Sequence, residues 1–177
     1  MSSQDPLGNP TQIAYNAEHL PTTITDANGN ITYLSYDANG NVTQVIDALG
    51  NITTNSYDSR GNLTSPTNAL NETETYSYDN AGNRLTRTDP LGRTWRWTYD
   101  SNGRVTSETD PLGHTTRYIY DLAGRLIGIR DALGNTKSFL YDPAGHLLMA
   151  EDELRQRTLR ITTNGGWWSA RLIRPAP

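Results

Sequence analysis

The residues best equipped for chemistry in this chain are its carboxylates, and they are strictly periodic. Tyr-Asp pairs stand every 21 residues, at Tyr36-Asp37, Tyr57-Asp58, Tyr78-Asp79, Tyr99-Asp100, Tyr120-Asp121 and Tyr141-Asp142. A second series keeps the same beat: Asp5, Asp26, Asp47, Asn68, Asp89, Asp110, Asp131 and Asp152, most of them opening an Asp-Pro/Ala-Leu-Gly tetrapeptide. Acid–base catalysis needs unlike titratable groups brought together in one pocket. One identical acid per repeat reads instead as a turn-former. Stretches such as Asp26-Ala27-Asn28-Gly29-Asn30 resemble calcium loops only loosely, lacking the sixth-position glycine and the closing glutamate. His19, His114 and His146 fall at different points of the repeat and have no metal-ligand spacing. No nucleophile elbow, phosphate loop or dinucleotide fingerprint occurs. The sequence therefore nominates no catalytic residue, cofactor site or metal site, and the expected class is a non-enzyme.

The aromatic residues are the better binding candidates. Tyr76, Trp97, Tyr118 and Phe139 fall at the same place in successive repeats, with Trp95 two residues before Trp97 on the same face, and would cluster across neighbouring strands. Sugars and apolar partners stack on such faces. The alternative is a stripe that holds a sheet together through cross-strand pairs.

A strict short period implies one small unit copied and stacked. In the repeat from Asp89 to Thr109, Asp89-Pro90-Leu91-Gly92 has the residue order of a type I turn, and Asp100-Ser101-Asn102-Gly103 is a second turn of the same kind. Gly103 can take positive φ there, whereas His19 holds the same slot in the first unit. Between the turns lie segments of six or seven residues rich in Thr, Tyr, Val and Ile, too short for helices and suited to strands. Each repeat is thus a β-hairpin. Alternation puts Trp95, Trp97 and Tyr99 on one face, with Thr32, Leu34 and Tyr36, Glu74, Tyr76 and Tyr78, and Thr116, Tyr118 and Tyr120 in the same places elsewhere. The other face is largely polar, with Ile119 and Leu140 as late exceptions. Residues 5–151 hold seven repeats, which predicts fourteen strands in an all-β, curled, single-layer sheet of stacked antiparallel hairpins. In Asn83-Arg84-Leu85 the apolar residue comes one place late, which predicts a local bulge near Asn83.

Residues 1–4 read as a short tail. After Asp152 the pattern decays, and residues 152–177 read as a degenerate repeat followed by a divergent, disordered tail. Trp167-Trp168 and the Pro-rich end match nothing upstream, as expected of a truncated or frame-shifted remnant, with a capping unit as the alternative. An isolated single-layer sheet with two free edges is expected to be marginally stable or to self-associate.

Composition narrows the class. Apolar residues are 34% and charged residues 19%, with a net charge of −4. That mix suits strands and tight turns and lacks the charge excess of a disordered chain. The mild acidity argues against nucleic acid. No run of apolar residues is long enough to span a membrane as a helix, and the start lacks the features of a signal peptide. Without cysteine there is no disulfide framework and no thiolate metal site.

The signature Tyr-Asp-x-x-Gly-Arg/Asn-Leu/Val-Thr followed by Asp-Pro/Ala-Leu-Gly resembles the YD-repeat, or Rhs (rearrangement hot spot), family. The resemblance covers residues 5–151. Members include bacterial polymorphic toxins, encapsulating components of insecticidal Tc toxins, and teneurins. The resemblance implies a spiral β-shell that encloses a C-terminal toxin domain, in proteins that are made in the cytoplasm and then secreted or displayed on the cell surface. Further YD repeats of a parent shell and the enclosed toxin are the implied partners. The family's self-cleaving Asp-Pro segment is not found here; Asp89-Pro90 and Asp110-Pro111 belong to repeat turns. A cell-surface module for carbohydrate binding or adhesion is the alternative reading.

Overall fold

The computed structural model describes residues 3–4, 10–152, 154, 156–163 and 166–172. The first turn, at Asp5, and the Pro-rich end beyond Leu172 lie outside the described residues. Among those described there is no helix. The strands are β1 (Ser3–Gln4), β2 (Pro10–Tyr15), β3 (Pro21–Thr25), β4 (Ile31–Tyr36), β5 (Val42–Ile46), β6 (Ile52–Tyr57), β7 (Leu63–Thr67), β8 (Thr75–Tyr78), β9 (Arg84–Thr88), β10 (Thr94–Tyr99), β11 (Val105–Thr109), β12 (Thr115–Tyr120), β13 (Leu126–Arg130), β14 (Thr136–Tyr141), β15 (Leu147–Glu151), β16 (Arg157–Thr163) and β17 (Gly166–Leu172). Residues 5–151 supply β2 to β15, the expected fourteen strands. Past Asp152, β16 and β17 pair as one more antiparallel hairpin.

The strands form two open antiparallel sheets in chain order, β1–β7 and β8–β17. The chain also divides into two compact units, residues 1–94 and 95–177. Each unit is a meander of hairpins, and in both the repeat geometry is the same.

Both turns of a repeat are three-residue loops of one design. In the first unit Gly40 N donates to Asp37 O (3.1 Å) and Asp37 N to Asn41 O (3.0 Å). In the second, Gly124 N donates to Asp121 O and Asp121 N to Arg125 O, both 2.9 Å. This is a type I turn closed by a bulge whose glycine needs positive φ. Gly124 sits at φ 84°, and a Cβ there would lie 2.8 Å from the Arg104 guanidinium. His19 adopts φ 63° in the glycine slot, as its position implied, and Asn71 does the same at φ 61°.

A β-bulge recurs in each hairpin that carries a Tyr-Asp pair, just before its tyrosine: Ser35/Tyr36, Ser56/Tyr57, Ser77/Tyr78, Thr98/Tyr99, Ile119/Tyr120 and Leu140/Tyr141. The expected local slip at Asn83 is therefore corrected. Tyr78 pairs with Arg84 in the register in which Tyr99 pairs with Val105. The repeat departs in residue type and keeps its register. Arg84 takes the apolar slot and holds its guanidinium 5.5 Å from the centre of the Tyr76 ring, a cation–π contact that replaces the missing aliphatic one.

The break between the two sheets traces to one proline. Thr67 and Thr73 still bridge, and Glu74 N donates to Pro66 O at 3.1 Å. The reciprocal bond, from residue 66 N–H to the Glu74 carbonyl, has no donor because Pro66 lacks one. Neighbouring repeats carry Val45, Glu108 and Ile129 at this position and pair fully. Pro66→Val restores the donor. The regained bond contributes about 1 kcal/mol, while about 0.4–1 kcal/mol is lost as the unfolded chain gains freedom. Stability therefore barely moves, and the expected result is a newly protected backbone amide at position 66 in hydrogen exchange followed by NMR.

Candidate functional site

The aromatic face is assembled strand by strand. In unit 1, β4 exposes Ile31, Tyr33 and Ser35 and half-buries Thr32, Leu34 and Tyr36. In unit 2, β12 half-buries Thr116, Tyr118 and Tyr120 in the same way. No apolar residue among those described is fully buried. The stripe is the most sheltered apolar surface that a single layer offers, and one of its sides remains open.

The periodic tyrosines act as staples between hairpins. Tyr36 Oη donates to Pro21 O (2.6 Å), Tyr57 to Val42 O (2.8 Å) and Tyr78 to Leu63 O (2.8 Å) in unit 1. In unit 2 Tyr120 donates to Val105 O and Tyr141 to Leu126 O, each at 2.9 Å. Strands of successive hairpins pair over only three residues next to the Asp-Pro/Ala-Leu-Gly turn, as Ser107–Thr109 do with Thr115–Arg117. Beyond that the bulge diverts them. Each hydroxyl reaches 15 residues back and ties down the end that the ladder leaves open. Tyr99 is half-buried on the same grid. Arg104 lies 4.8 Å from the Tyr120 ring centre and Arg125 lies 5.2 Å from that of Tyr141, covering two of the staples.

The periodic aspartates are consumed by their own turns. Asp37 Oδ1 accepts from Asn39 N and Asn41 N, and its Oδ2 accepts from Asn41 Nδ2, all at 2.9 Å. Asp58, Asp79, Asp100, Asp121 and Asp142 hold equivalent turns, closed by Asn62, Asn83, Arg104, Arg125 and His146. Donation from the closing Asn side chain holds Asp26, Asp37, Asp47, Asp58, Asp79 and Asp131 below the usual carboxylate range. Among the described residues no cluster of three His, Asp or Glu could hold a metal ion.

One charged cluster interrupts the apolar stripe of unit 1. Arg87 Nε and Nη2 donate to Glu74 Oε2 (2.9 Å) and Oε1 (2.5 Å), and Tyr76 Oη donates to Oε2 at 2.5 Å. Bonds from Arg87 and then Tyr76 bring the Glu74 carboxyl down to about 2, from 4.5. Burial, and then the bond to Glu74, raise the Tyr76 phenol. A depressed carboxyl stabilises the fold above its unfolded value and loses that contribution as the pH falls. Urea midpoints should therefore decline between pH 4.5 and about 2, and Glu74→Gln should flatten part of that decline.

Sequence reasoning missed this cluster. It placed Glu74 beside Tyr76 and Tyr78, but not Arg87. The bulge resets the parity of the following strand, so that Arg84 and Arg87, three apart, both oppose the tyrosine face. Recognising that the bulge recurs in each repeat would have exposed the pair.

Within unit 2 the aromatic candidates are spread along the sheet. In unit 2 Trp97 pairs across the ladder with Glu108, and Tyr118 Oη approaches Glu108 Oε2 at 3.5 Å. Trp95 is half-buried in the same strand as Trp97. Phe139 lies farther along, with Ile129 and Lys137 between it and Tyr118, and the Lys137 ammonium is 5.5 Å from the Phe139 ring centre. Tyr76 belongs to unit 1 and to the Glu74–Arg87 cluster.

A family profile described as RHS Repeat matches residues 15–52, 57–94, 83–115, 99–136 and 120–155. The chain belongs to the RHS-repeat family. The hairpin, with its tyrosine staple and paired aspartate turns, is the RHS repeat of this chain, and the RHS array is all-β throughout its described residues. Among solved structures, the Photorhabdus luminescens Tc holotoxin pore, with a substitution in TccC3, gives a TM-score of 0.69 at 18% identity, covering 92% of this chain and 10% of that one. The crystal structure of TcdB2-TccC3 gives 0.42 at 17% identity, covering 88% and 14%. The first likeness shows the fold, and the RHS array here spans about a tenth of that chain. No curated protein sequence matches. No described helix is long and apolar enough to cross a membrane.

Proposed function

We propose that this RHS array is a non-catalytic section of the wall of a β-shell that encloses a C-terminal toxin domain, in a protein that is secreted or displayed on the cell surface. The observation that carries the reading is the tyrosine staple. Five times it ties a hairpin to the one before through a backbone carbonyl, so a sheet of this kind can be extended copy by copy without an interior core. The half-buried aromatic stripe supports the same reading. A layer open on its apolar side is completed by whatever it surrounds, and an enclosed domain with further repeats of the same array would supply that cover.

The chain's lack of cysteine provides a direct test in the intact parent assembly. Phe139→Cys lies on the stripe and Arg117→Cys on the exposed opposite face. A bulky polyethylene-glycol maleimide should label the second readily and the first far more slowly. Equal labelling would place the stripe outside and overturn the enclosure.

A second reading, carbohydrate binding, is favoured by Trp97 and Tyr118 flanking the Glu108 carboxylate, an arrangement of stacking rings beside a hydrogen-bond acceptor. Hits on a glycan array that vanish in Trp97→Ala would support it, and an array without hits would remove it.

A further inference from the structure

One cross-strand pair in unit 2 breaks a rule that the other repeats keep. Arg117 on β12 stands directly opposite Arg130 on β13. The same register position holds Gln12–Thr25, Tyr33–Ile46, Thr54–Thr67, Thr75–Thr88, Arg96–Thr109 and Ser138–Glu151 in the other repeats. Directly opposed residues have Cβ atoms about 4.5–5.5 Å apart, and like charges so placed destabilise a sheet. Among the described residues neither guanidinium makes a hydrogen bond or an ion pair that would offset the repulsion.

The pair lines a cavity. Arg117, Arg130, His114, Asp131 and Gly134 border about 470 Å³ beside the turn that joins β13 to β14. Arg130 lies along that turn: a Cβ added at Gly134 would stand 3.5 Å from its Nη2 and 3.9 Å from its Nε. Asp131 keeps its charge but faces its own loop. Its Oδ1 accepts from Leu133 N (2.9 Å) and Asn135 N (2.8 Å), and its Oδ2 from Asn135 Nδ2 (2.8 Å). Nδ1 of His114 is engaged by Asp110 at 2.8 Å. Two guanidiniums against one carboxylate leave the lining with a positive charge in excess.

We propose that the Arg117–Arg130 cavity binds a tetrahedral oxyanion carrying two negative charges, a free phosphate or the terminal group of a phosphomonoester. A guanidinium is a planar fork that pairs best with two oxygens at once. A carboxylate has one pair of oxygens and one charge, so it serves one fork and leaves the other arginine unmatched. A phosphate dianion has oxygens for both forks and a charge for each arginine. Bound there, it turns the repulsion across the ladder into a bridge. Both arginines are exposed, and Asp131 opposes the anion, so binding is weak, with a dissociation constant on the order of 1 mM.

The test titrates the whole chain with inorganic phosphate at constant ionic strength and neutral pH, following the Nε–H signals of Arg117 and Arg130 by NMR. Both should shift and saturate together. Arg117→Gln and Arg130→Gln should each weaken binding by about tenfold or more, and Arg96→Gln, opposite Thr109 on the same face, should change it by about twofold at most. Acetate should bind several-fold more weakly. Methyl phosphate that keeps the affinity assigns the site to an ester's terminal group; a large loss with methyl phosphate assigns it to the free ion. A second readout needs no ligand. In phosphate-free buffer Arg130→Gln should melt about 1–4 °C above the wild type, because the repulsion is gone, and phosphate should raise the wild-type midpoint more than that of the variant. Signals that fail to saturate, acetate that binds as phosphate does, or a Gln variant that keeps the wild-type affinity overturns the proposal. None of these outcomes touches the enclosure reading, which is tested by labelling the stripe.

Discussion

Asp89→Ala should lower the thermal midpoint by roughly 5–10 °C, more than the loss of any other turn acid. Asp89 is the only buried polar or charged residue among those described, at 6% exposure. Its Oδ1 accepts from Leu91 N (3.0 Å) and Arg93 N (2.9 Å), while its Oδ2 takes the Arg93 guanidinium at 2.6 Å. Burial pushes its acidity toward the neutral form, but bonds from Arg93 and the backbone outweigh this and hold the carboxyl below its ordinary value. Alanine removes the acceptor of two part-buried turn N–H groups, and unsatisfied donors in such a place are costly. Asp47→Ala, in an exposed turn of the same geometry, should cost less because water replaces the carboxylate. Differential scanning calorimetry of the two variants measures the contrast, and equal losses would refute the role of burial.

Removing a staple should have the other large effect. Tyr120→Phe deletes the bond to Val105 O and leaves the ring under Arg104; it should cost about 1 kcal/mol. Tyr120→Ala also removes the ring from the stripe and should cost about 3 kcal/mol. The damage should be local. Hydrogen exchange should accelerate at the start of β11 and the end of β12, while the hairpin of β14 and β15 keeps its own staple at Tyr141. Uniform acceleration throughout unit 2 would mean that the hairpins do not act as separable elements.

Much of this was legible in the sequence. The period gave the hairpin, the strand number and the tyrosine face, because turn chemistry and alternation are local properties. The turn role of the aspartates could also be read, since Asp, a tight loop and Gly specify one geometry. The function of the tyrosine hydroxyl was hidden, because its acceptor is a backbone carbonyl and leaves no mark on residue type. The bulge was hidden for the same reason: it occurs in each repeat and so appears in the sequence as no irregularity at all. Its effect on parity concealed the partnership of Glu74 with Arg87. Asn83-Arg84-Leu85 misled in the opposite direction, since a cation over the Tyr76 ring can fill an apolar place without moving the chain. Pro66 was readable as a ladder breaker, yet the repeat was regular enough to draw attention away from it.

The staples also dictate how such a ribbon yields to force. Each fastener reaches one copy and no farther, so tension applied at a terminus loads a single hairpin at a time. Extension should proceed in near-equal steps, each releasing one copy's worth of polypeptide, like stitches drawn from a seam. A ribbon sewn in this way can be opened from its margin without being dissolved as a whole.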